Sequence, residues 1–122
     1  MHIESLSAVT LVVRDMDVAV AFYDALGLRT VHGGSGGDFT SYAIAGSYLN
    51  LQQGDPGHSD QWGRVILHVS DVDAMWRRVV DAGGTPDGQP EDAPWGERYF
   101  HVRDPDGHEL SFARPLDTPA GP

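Results

Sequence analysis

The sequence predicts an α+β protein in which two tandem β-α-β-β-β modules form a concave, cavity-enclosing mixed sheet. The first observation behind this prediction is a repeat, because Val9–Gly27 (VTLVVRDMDVAVAFYDALG) recurs as Val65–Gly83 (VILHVSDVDAMWRRVVDAG). The second is that Gly46–Leu51 recurs, slightly shifted, as Gly107–Phe112. A unit of this length exceeds a solenoid repeat and is too small to be a stable domain alone. Two copies must therefore share one core, and we expect a cavity where the two halves face each other.

The first module opens with an apolar strand and an amphipathic helix. The run Val9–Val13 is short and nearly all apolar, which is typical of a strand buried on at least one face. Asp15 is suited to cap the helix that follows, and Gly27 fits the position just after its end. An apolar stripe is predicted along this helix at Val18, Phe22 and Leu26. Short strands are predicted next at residues 29–32, 39–43 and 48–52. Between the first two strands, we interpret the glycine-rich segment 33–37 as a plain hairpin connection.

The second module repeats this order. Alternation through Val65–Val69 predicts a strand, Asp71 is the expected helix cap, and Gly83 ends the helix. The helix stripe is predicted at Val72, Met75, Trp76 and Val79, with Trp76 in the core. Further strands are predicted near Thr85–Pro86, at 98–102 and at 109–113.

Length and composition limit the classes of function. The 122 residues suit one domain, which we divide into module one (about 6–53), a linker (about 54–63), module two (about 64–115) and a disordered tail (116–122). A formal charge of −10 without any lysine argues against nucleic-acid binding and weakly favours a cationic ligand. No apolar run approaches the roughly 20 residues that a membrane span needs, and the N-terminus does not resemble a secretory signal. The chain also has no cysteine, so we expect a cytoplasmic protein with no membrane partner.

The most specific segment is Pro94–Gly107 (PWGERYFHVRDPDG), a turn, a strand with an aromatic residue, and a second turn before the last strand. In that second turn Pro105 fixes φ and Gly107 supplies a positive φ. Together with the repeat, this segment resembles the vicinal oxygen chelate superfamily, which includes glyoxalase I, extradiol dioxygenases, fosfomycin-resistance enzymes and bleomycin-resistance proteins. The resemblance covers about residues 6–115 and looks closest to the metal-free bleomycin-resistance branch. It implies the glyoxalase/bleomycin-resistance fold.

The resemblance also implies where a metal would bind. Metal-using members place a ligand, usually His, at the start of the first strand of each unit, and a second ligand, usually Glu, in the last strand. In this chain the four positions are Ala8, Asn50, Arg64 and Ser111. Ala has no donor atom, Arg repels a divalent cation, and Asn and Ser are weak ligands for transition metals. We therefore predict that the protein uses no metal and no cofactor.

A displaced site is an alternative. Strand alternation places His68, His101 and Glu109 on one face, which is formally a two-His-one-carboxylate set. The simpler interpretation is a polar cavity wall in which Glu109 pairs with Arg64 or Arg98 and orients a ligand.

Aromatic residues also point to the expected cavity. By alternation Phe39, Tyr48 and Tyr99 face it, and Trp62 and Trp95 lie in loops at its rim. Flat aromatic side chains around a few polar groups suit a planar or heteroaromatic ligand. The predicted ligand-binding residues are Phe39, Tyr48, Asn50, Trp62, Arg64, His68, Trp95, Tyr99, His101, Glu109 and Ser111.

Besides a degenerate structural or interaction module whose cavity is filled by side chains, two functions remain open on the sequence. The first is a metal-independent protein that sequesters a bulky aromatic, possibly cationic, compound, as in antibiotic resistance. The alternative is a lyase, isomerase or dioxygenase of the same superfamily that uses the displaced metal set or a His/Glu acid–base pair. The resemblance also implies a homodimer.

Overall fold

The structure is a computed structural model that describes residues 1–57 and 64–116. The chain divides into two compact units, Met1–His58 and Ser59–Pro122, which hold modules one and two. The described residues contain one helix and one four-stranded mixed sheet in each unit, which confirms the two predicted β-α-β-β-β modules. Linker residues 58–63, which include the predicted site residue Trp62, and tail residues 117–122 lie outside the described residues.

Module one places its helix between the first and second strands. Its elements are β1 (Ala8–Val13), α1 (Met16–Ala25), β2 (Arg29–His32), β3 (Phe39–Ile44) and β4 (Ser47–Gln53). The sheet order is β1-β4-β3-β2, with β1 parallel to β4 and the other neighbours antiparallel. On β4, Leu49 and Leu51 are buried, and Tyr48 and Asn50 alternate with them on the opposite face. A hairpin joins β2 to β3 as we interpreted, but the glycine-rich segment is more than a plain connection, because Gly36 and Gly37 also line a cleft of module one.

Helix α1 begins where it was predicted to begin, but its buried face differs from the predicted one. The Asp15 carboxylate accepts the first backbone N–H groups of the helix, and Gly27 has a φ of 93°. Val18 is 49% exposed, so the predicted stripe is wrong at that position. The helical face is instead buried through Met16, Ala19, Val20, Phe22, Tyr23 and Leu26. Spacings of three and four residues connect 16, 19, 20 and 23, and residue 18 does not lie on that series.

Module two repeats the plan with a different second strand. Its elements are β5 (Arg64–His68), α2 (Val72–Asp81), β6 (Glu91–Ala93), β7 (Glu97–Arg103) and β8 (Glu109–Pro115), in the sheet order β5-β8-β7-β6. The strand predicted near Thr85–Pro86 is wrong, because the strand lies at Glu91–Ala93. Pro86 has no N–H to give to a ladder. Asp87 then makes a backbone hydrogen bond to the His101 carbonyl, outside any strand.

Helix α2 buries fewer of its residues than α1 does. Its cap is the predicted Asp71, whose carboxylate accepts the N–H of Ala74, and its buried residues are Val72 and Val79. Trp76 was predicted to lie in the core, and this is wrong, because the residue is only half-buried. Its indole Nε1–H donates to the Gly88 carbonyl at 2.8 Å, so the polar end of the ring ties the helix to a loop.

Alternation in β7 and β8 separates the core from a polar face. Phe100, Val102, Leu110 and Phe112 are buried, and the rings of Phe100 and Phe112 stack with centroids 5.3 Å apart. Between the two strands, Gly107 has the predicted positive φ, at 88°. Tyr99, His101 and Ser111 therefore lie on the opposite side of the sheet from these core residues.

Neither helix in residues 1–57 and 64–116 is long and apolar enough to cross a membrane.

Candidate functional site

Module two carries a polar face on the side of its sheet opposite the buried residues. The strand register arranges this face in three rungs: Arg64–Glu109–Arg103, Ile66–Ser111–His101 and His68–Ala113–Tyr99. We call this set of side chains the polar face of module two. Directly paired residues on one face have Cβ atoms about 5 Å apart, so side chains of one rung are within reach of each other.

The first rung is an arginine–glutamate–arginine cluster. Glu109 Oε2 accepts from Arg64 Nε at 3.2 Å and from Nη2 at 2.9 Å, and Glu109 Oε1 accepts from Arg103 Nη2 at 3.0 Å. The predicted pairing of Glu109 with Arg64 is present, and Arg103 is a partner that the sequence analysis missed. Arg98 does not reach Glu109, because its position in β7 alternates with that of Arg103. Arg98 instead pairs with Asp73 at 2.8 Å and with Asp92 at 2.9 Å.

The second rung fixes the tautomer of His101. Nη1 of Arg64 lies 3.3 Å from Nε2 of His101, and Nδ1 of His101 is hydrogen-bonded to Ser111 Oγ. A guanidinium can only donate, so Nε2 must accept, and the single N–H of a neutral imidazole then lies on Nδ1. Ser111 Oγ accepts that hydrogen and keeps its own hydroxyl hydrogen for another partner. Ser111 is therefore not activated as a nucleophile by His101.

His101 is held in its neutral form. Burial and the neighbouring Arg64 guanidinium lower the pKa of His101 below its ordinary 6.5, and Asp87 and Glu109 oppose this only in part. At neutral pH the ring is an uncharged acceptor for Arg64.

A run of aromatic rings leads to His101 from the loop before β7. The ring centroids of Trp95 and Tyr99 are 5.6 Å apart, and those of Tyr99 and His101 are 5.0 Å apart. Trp95 is 69% exposed, and its Nε1–H donates to Glu97 Oε1 at 3.0 Å. The other oxygen of Glu97 lies 3.4 Å from His68 Nε2. Glu97 thus holds the exposed indole ring in place, a role that the sequence analysis missed.

Module one has a different polar face. The Asn50 amide bridges two neighbouring strands, since its Oδ1 accepts from Ser41 Oγ at 2.7 Å and its Nδ2 donates to Thr10 Oγ1 at 3.3 Å. Tyr48, on the same face, is 47% exposed. Phe39 lies at the far end of that face, with its ring 6.4 Å from the ring of His32.

Module one also contains an open cleft of about 690 Å³, lined by Arg14, Asp15, Met16, Asp17, Gly36, Gly37, Asp38 and Gln53. The glycine-rich hairpin closes over the start of α1 there, because Gly36 N–H donates to Asp17 Oδ1 at 2.8 Å. Among the predicted ligand-binding residues that the structure describes, none lines this cleft.

The four family metal positions do not fit a divalent metal. Ala8 offers no donor, and the Arg64 guanidinium would repel the ion. Ser111 is buried and is hydrogen-bonded to His101 through its single oxygen. Asn50 is a neutral donor already bonded at both amide atoms. A transition metal site normally needs about three His or carboxylate ligands.

The displaced set is not assembled either. His68, His101 and Glu109 share one face, as alternation predicted, but each lies on a different rung. Glu109 is engaged by two arginines, and His68 pairs with Glu97. Across residues 1–57 and 64–116, no three His, Cys, Asp or Glu side chains are grouped to hold a metal ion.

The structure thus joins part of the predicted site. Its connected members are Arg64, His68, Trp95, Tyr99, His101, Glu109 and Ser111, all in module two. Phe39, Tyr48 and Asn50 belong to module one, and each module is described by itself. Arg103 lies two residues after His101 and four after Tyr99 in β7, and therefore on the same face of the strand. This alternation was the sequence signal that could have predicted it.

Comparison with solved structures shows the same fold. TioX from Micromonospora sp. ML1 is 30% identical, with 93% of this chain and 100% of that chain covered and a TM-score of 0.72. A glyoxalase/bleomycin resistance protein/dioxygenase from Nocardioides is 22% identical over 100% of this chain and 91% of its own, with a TM-score of 0.73. The fosfomycin resistance protein FosX from Listeria monocytogenes, solved with Mn(II) and 1S,2S-dihydroxypropylphosphonic acid, is 21% identical over 91% and 90%, with a TM-score of 0.76.

Among curated proteins, an uncharacterized protein from Mycobacterium tuberculosis is 46% identical over 52 residues. That match covers 43% of this chain and 31% of the relative, so it spans about a third of the relative's length. The family model described as the glyoxalase/bleomycin resistance protein/dioxygenase superfamily matches residues 5–112. The chain therefore belongs to the glyoxalase/bleomycin resistance protein/dioxygenase superfamily.

Proposed function

We propose that the chain is a metal-independent binding protein that sequesters a bulky aromatic compound. The observation that carries the proposal is the run of rings Trp95–Tyr99–His101, which ends at the Arg64–Glu109 pair. A half-exposed stacking surface next to fixed hydrogen-bonding groups is the usual composition of a site for a planar ligand.

Stacking would supply most of the affinity. Trp95 is exposed and its orientation is fixed through Glu97, so little side-chain entropy is lost when a ligand covers the ring. Aromatic pairs contribute about 0.5–1.5 kcal/mol beyond the burial of their area. Rings of the ligand would lie along Trp95 and Tyr99, while polar groups of the ligand would meet Arg64.

Sequestration requires no bond to be broken. A protein that binds the compound and is present in excess lowers its free concentration by mass action. FosX is named as a fosfomycin resistance protein, and this supports, by analogy of fold, a protective role for the present chain.

The alternative was an enzyme that uses a displaced metal or a His/Glu acid–base pair. As a base, His101 would need a free Nε2 lone pair, and Arg64 occupies it. His68 is 63% exposed and pairs with Glu97, far from a dry catalytic environment. These contacts favour binding over catalysis.

We also propose that the protein is a homodimer, as in the bleomycin-resistance proteins that it resembles. Exposed apolar side chains on the sheets support this, among them Tyr48 at 47% and Ile66 at 59% exposure. Light scattering after gel filtration should give twice the mass of 13.2 kDa, and a monomeric mass at micromolar concentration would contradict the dimer.

The proposed function is tested by titrating untagged protein with doxorubicin, bleomycin and anthracene-2-carboxamide in a calorimeter. We expect at least one compound to bind with an affinity that falls about tenfold or more in Trp95→Ala, from the loss of stacking. Trp76→Phe, on α2, is the matched control and should bind like the wild type. Mass spectrometry should recover the bound compound unchanged.

Elemental analysis of the same protein should find no stoichiometric transition metal. A near-equimolar metal, or a chemically altered compound, would contradict the proposal and favour the enzyme. Equal affinities of wild type and Trp95→Ala would contradict the role of the aromatic run in binding the ligand.

A further inference from the structure

We infer that the ligand of the polar face of module two is an aromatic carboxylate, with its acid group held by Arg64 at the end of the aromatic run. This inference rests on the proposed function and names the chemistry of the compound that would bind. It differs from the expectation drawn from net charge, which favoured a cation.

The local charge of the first rung is opposite to that of the chain. The chain carries −10, but the rung contains two arginines and one glutamate, and the nearest imidazole, His101, is neutral. Local charge near a site outweighs distant charge, because interactions beyond about 8–10 Å are largely screened at physiological salt. An anion placed at Arg64 is therefore attracted although the whole protein is acidic.

Two carboxylates lie beside the Trp95 and Tyr99 part of the aromatic run, while Glu109 and Asp87 act at its His101 end. Glu97 holds Trp95, and Glu91 is the ladder partner of Tyr99. The polar face is thus cationic at Arg64 and acidic near Trp95, which orients a ligand that has one anionic end. Asp87 also acts on His101, but its charge only partly offsets that of Arg64 there.

Arg64 has unused donors. A guanidinium has five N–H groups, and within the described residues Arg64 uses one to His101 and two to a single oxygen of Glu109. Two N–H groups remain, and the side chain is 42% exposed. Two donors from one planar fork match the two oxygens of a carboxylate.

The guanidinium is held in place before a ligand arrives. Glu109 fixes one edge of Arg64 and His101 accepts from the other side, so the long side chain has already lost much of its freedom. A donor group fixed in advance binds with a smaller entropic cost. Glu109 also accepts a hydrogen bond from Arg103 at 3.0 Å, so its single negative charge does not neutralise both arginines.

Distances along the run set where the acid group sits on the ligand. The Tyr99 and His101 rings are 5.0 Å apart, and Arg64 Nη1 is 3.3 Å from His101 Nε2. A ring system stacked over Tyr99 therefore ends beside the guanidinium. The carboxylate must be attached to the ring system directly or through a very short link.

The test compares three probes that share one ring system: anthracene-2-carboxylate, anthracene-2-carboxamide and anthracen-2-ylmethylammonium. Affinities are measured by calorimetry at pH 7.5 for the full chain. A hydrogen-bonded charge contact contributes about 1.5–3 kcal/mol, so the carboxylate should bind roughly 10- to 100-fold more tightly than the carboxamide. The ammonium probe should bind most weakly of the three.

Variants locate the effect. Arg64→Gln should bind the carboxylate no more tightly than the carboxamide, and an unchanged far-UV circular dichroism spectrum shows that the variant is folded. Arg64→Lys keeps the charge without the fork and should lie in between. Arg77→Gln removes an exposed arginine of α2 and should change nothing.

Each remaining outcome contradicts a stated part. If carboxylate and carboxamide bind equally to the wild type and to Arg64→Gln, the inference is wrong and the aromatic binding site stands. If the ammonium probe binds best, the ligand is a cation and the inference is wrong. If none of the three probes binds, the aromatic site itself is contradicted and the inference fails with it.

Discussion

Modules one and two share the order of their helices and strands and differ in the side chains of their cores and polar faces. Both caps are Asp, at 15 and 71, and both helices are followed by a glycine with positive φ. Tyr23 in α1 and Val79 in α2 occupy equivalent positions of the repeat, and both are fully buried. Around Tyr23 the helix buries a broad apolar face, whereas α2 buries only Val72 besides Val79. The repeat has preserved the positions of the elements more strictly than the volume of the core.

The polar faces have diverged further than the cores. Asn50 and Ser111 are equivalent in the repeat, but Asn50 sits in a neutral hydroxyl–amide–hydroxyl relay, and Ser111 sits beside a histidine and two arginines. We therefore attribute the ligand chemistry mainly to module two.

The largest expected difference between the modules is in their cores. Tyr23→Ala should lower the free energy of unfolding by about 4 kcal/mol, as large aromatic truncations in cores do, and Val79→Ala by about 2 kcal/mol, since fewer buried carbons are lost. Urea denaturation followed by circular dichroism measures both. The exposed Val18→Ala and Val80→Ala are controls with changes below about 0.5 kcal/mol. Equal losses for Tyr23 and Val79 would contradict the view that module one holds the stronger core.

A smaller difference is expected at Asp17 and Asp73, which are equivalent in the repeat. Asp17 accepts a backbone N–H from Gly36, whereas Asp73 receives two hydrogen bonds from Arg98, at 2.8 and 2.9 Å. An asparagine keeps an acceptor for Gly36 but loses the charge that Arg98 needs. Arg98 lowers the pKa of Asp73, so that carboxylate is ionised at neutral pH.

Asp73→Asn should therefore cost about 0.5–1 kcal/mol more than Asp17→Asn, because both lose the same favourable charge at a helix start and only one loses an ion pair. Asp73 is 45% exposed, so 1 M NaCl should remove most of the difference. The measurement is the free energy of unfolding of both variants at low and high salt. A difference that does not respond to salt would mean that geometry, and not charge, separates the two positions.

The smallest expected difference between the modules is in how the free energy of unfolding responds to acidic pH. The relay of module one contains no titratable group, whereas the polar face of module two contains His101, whose pKa is lowered. As the pH falls below about 6.5, the unfolded chain takes up a proton at this position before the folded chain does, so the free energy of unfolding decreases. The decrease stops below the folded pKa, where both states are protonated.

His101→Gln should remove this part of the pH dependence, and His32→Gln in module one serves as the control. Unfolding free energies at pH 7.5 and 5 give the comparison, and a histidine NMR titration assigns the pKa directly. If wild type and His101→Gln lose the same stability on acidification, His101 is not held neutral by its surroundings.

The sequence predicted the frame of the fold because its signals are local. The helix caps, the glycines after the helices and the strand alternation each depend on a few neighbouring residues, as at Asp15 and Gly27. The errors are of the opposite kind. Val18 was placed on the buried stripe because periodicity alone does not fix which helical face meets the sheet, and the position of β6 depends on pairing with β7, not on its own residues.

The site was predicted by face but not by contact. Alternation put His68, His101 and Glu109 on one side of the sheet, and only the register showed that they occupy different rungs. Arg103 and Glu97 were not among the predicted residues, although alternation along β7 places both on the face that carries Tyr99 and His101. Net charge was the least useful sequence signal for the chemistry of the ligand. The value of −10 for the whole chain does not reveal the local cluster of arginines around Glu109.

The two hydrogen bonds of the Asn50 side-chain amide affect the chemical stability of the purified protein during storage. Deamidation needs the backbone nitrogen of the following residue to attack the side-chain carbonyl carbon. Here the only asparagine of the chain lies in an extended strand before a bulky Leu51, with both amide atoms hydrogen-bonded. Isoaspartate formation on long storage should instead begin at aspartates followed by glycine, such as Asp106–Gly107, in the turn that leads into the polar face of module two.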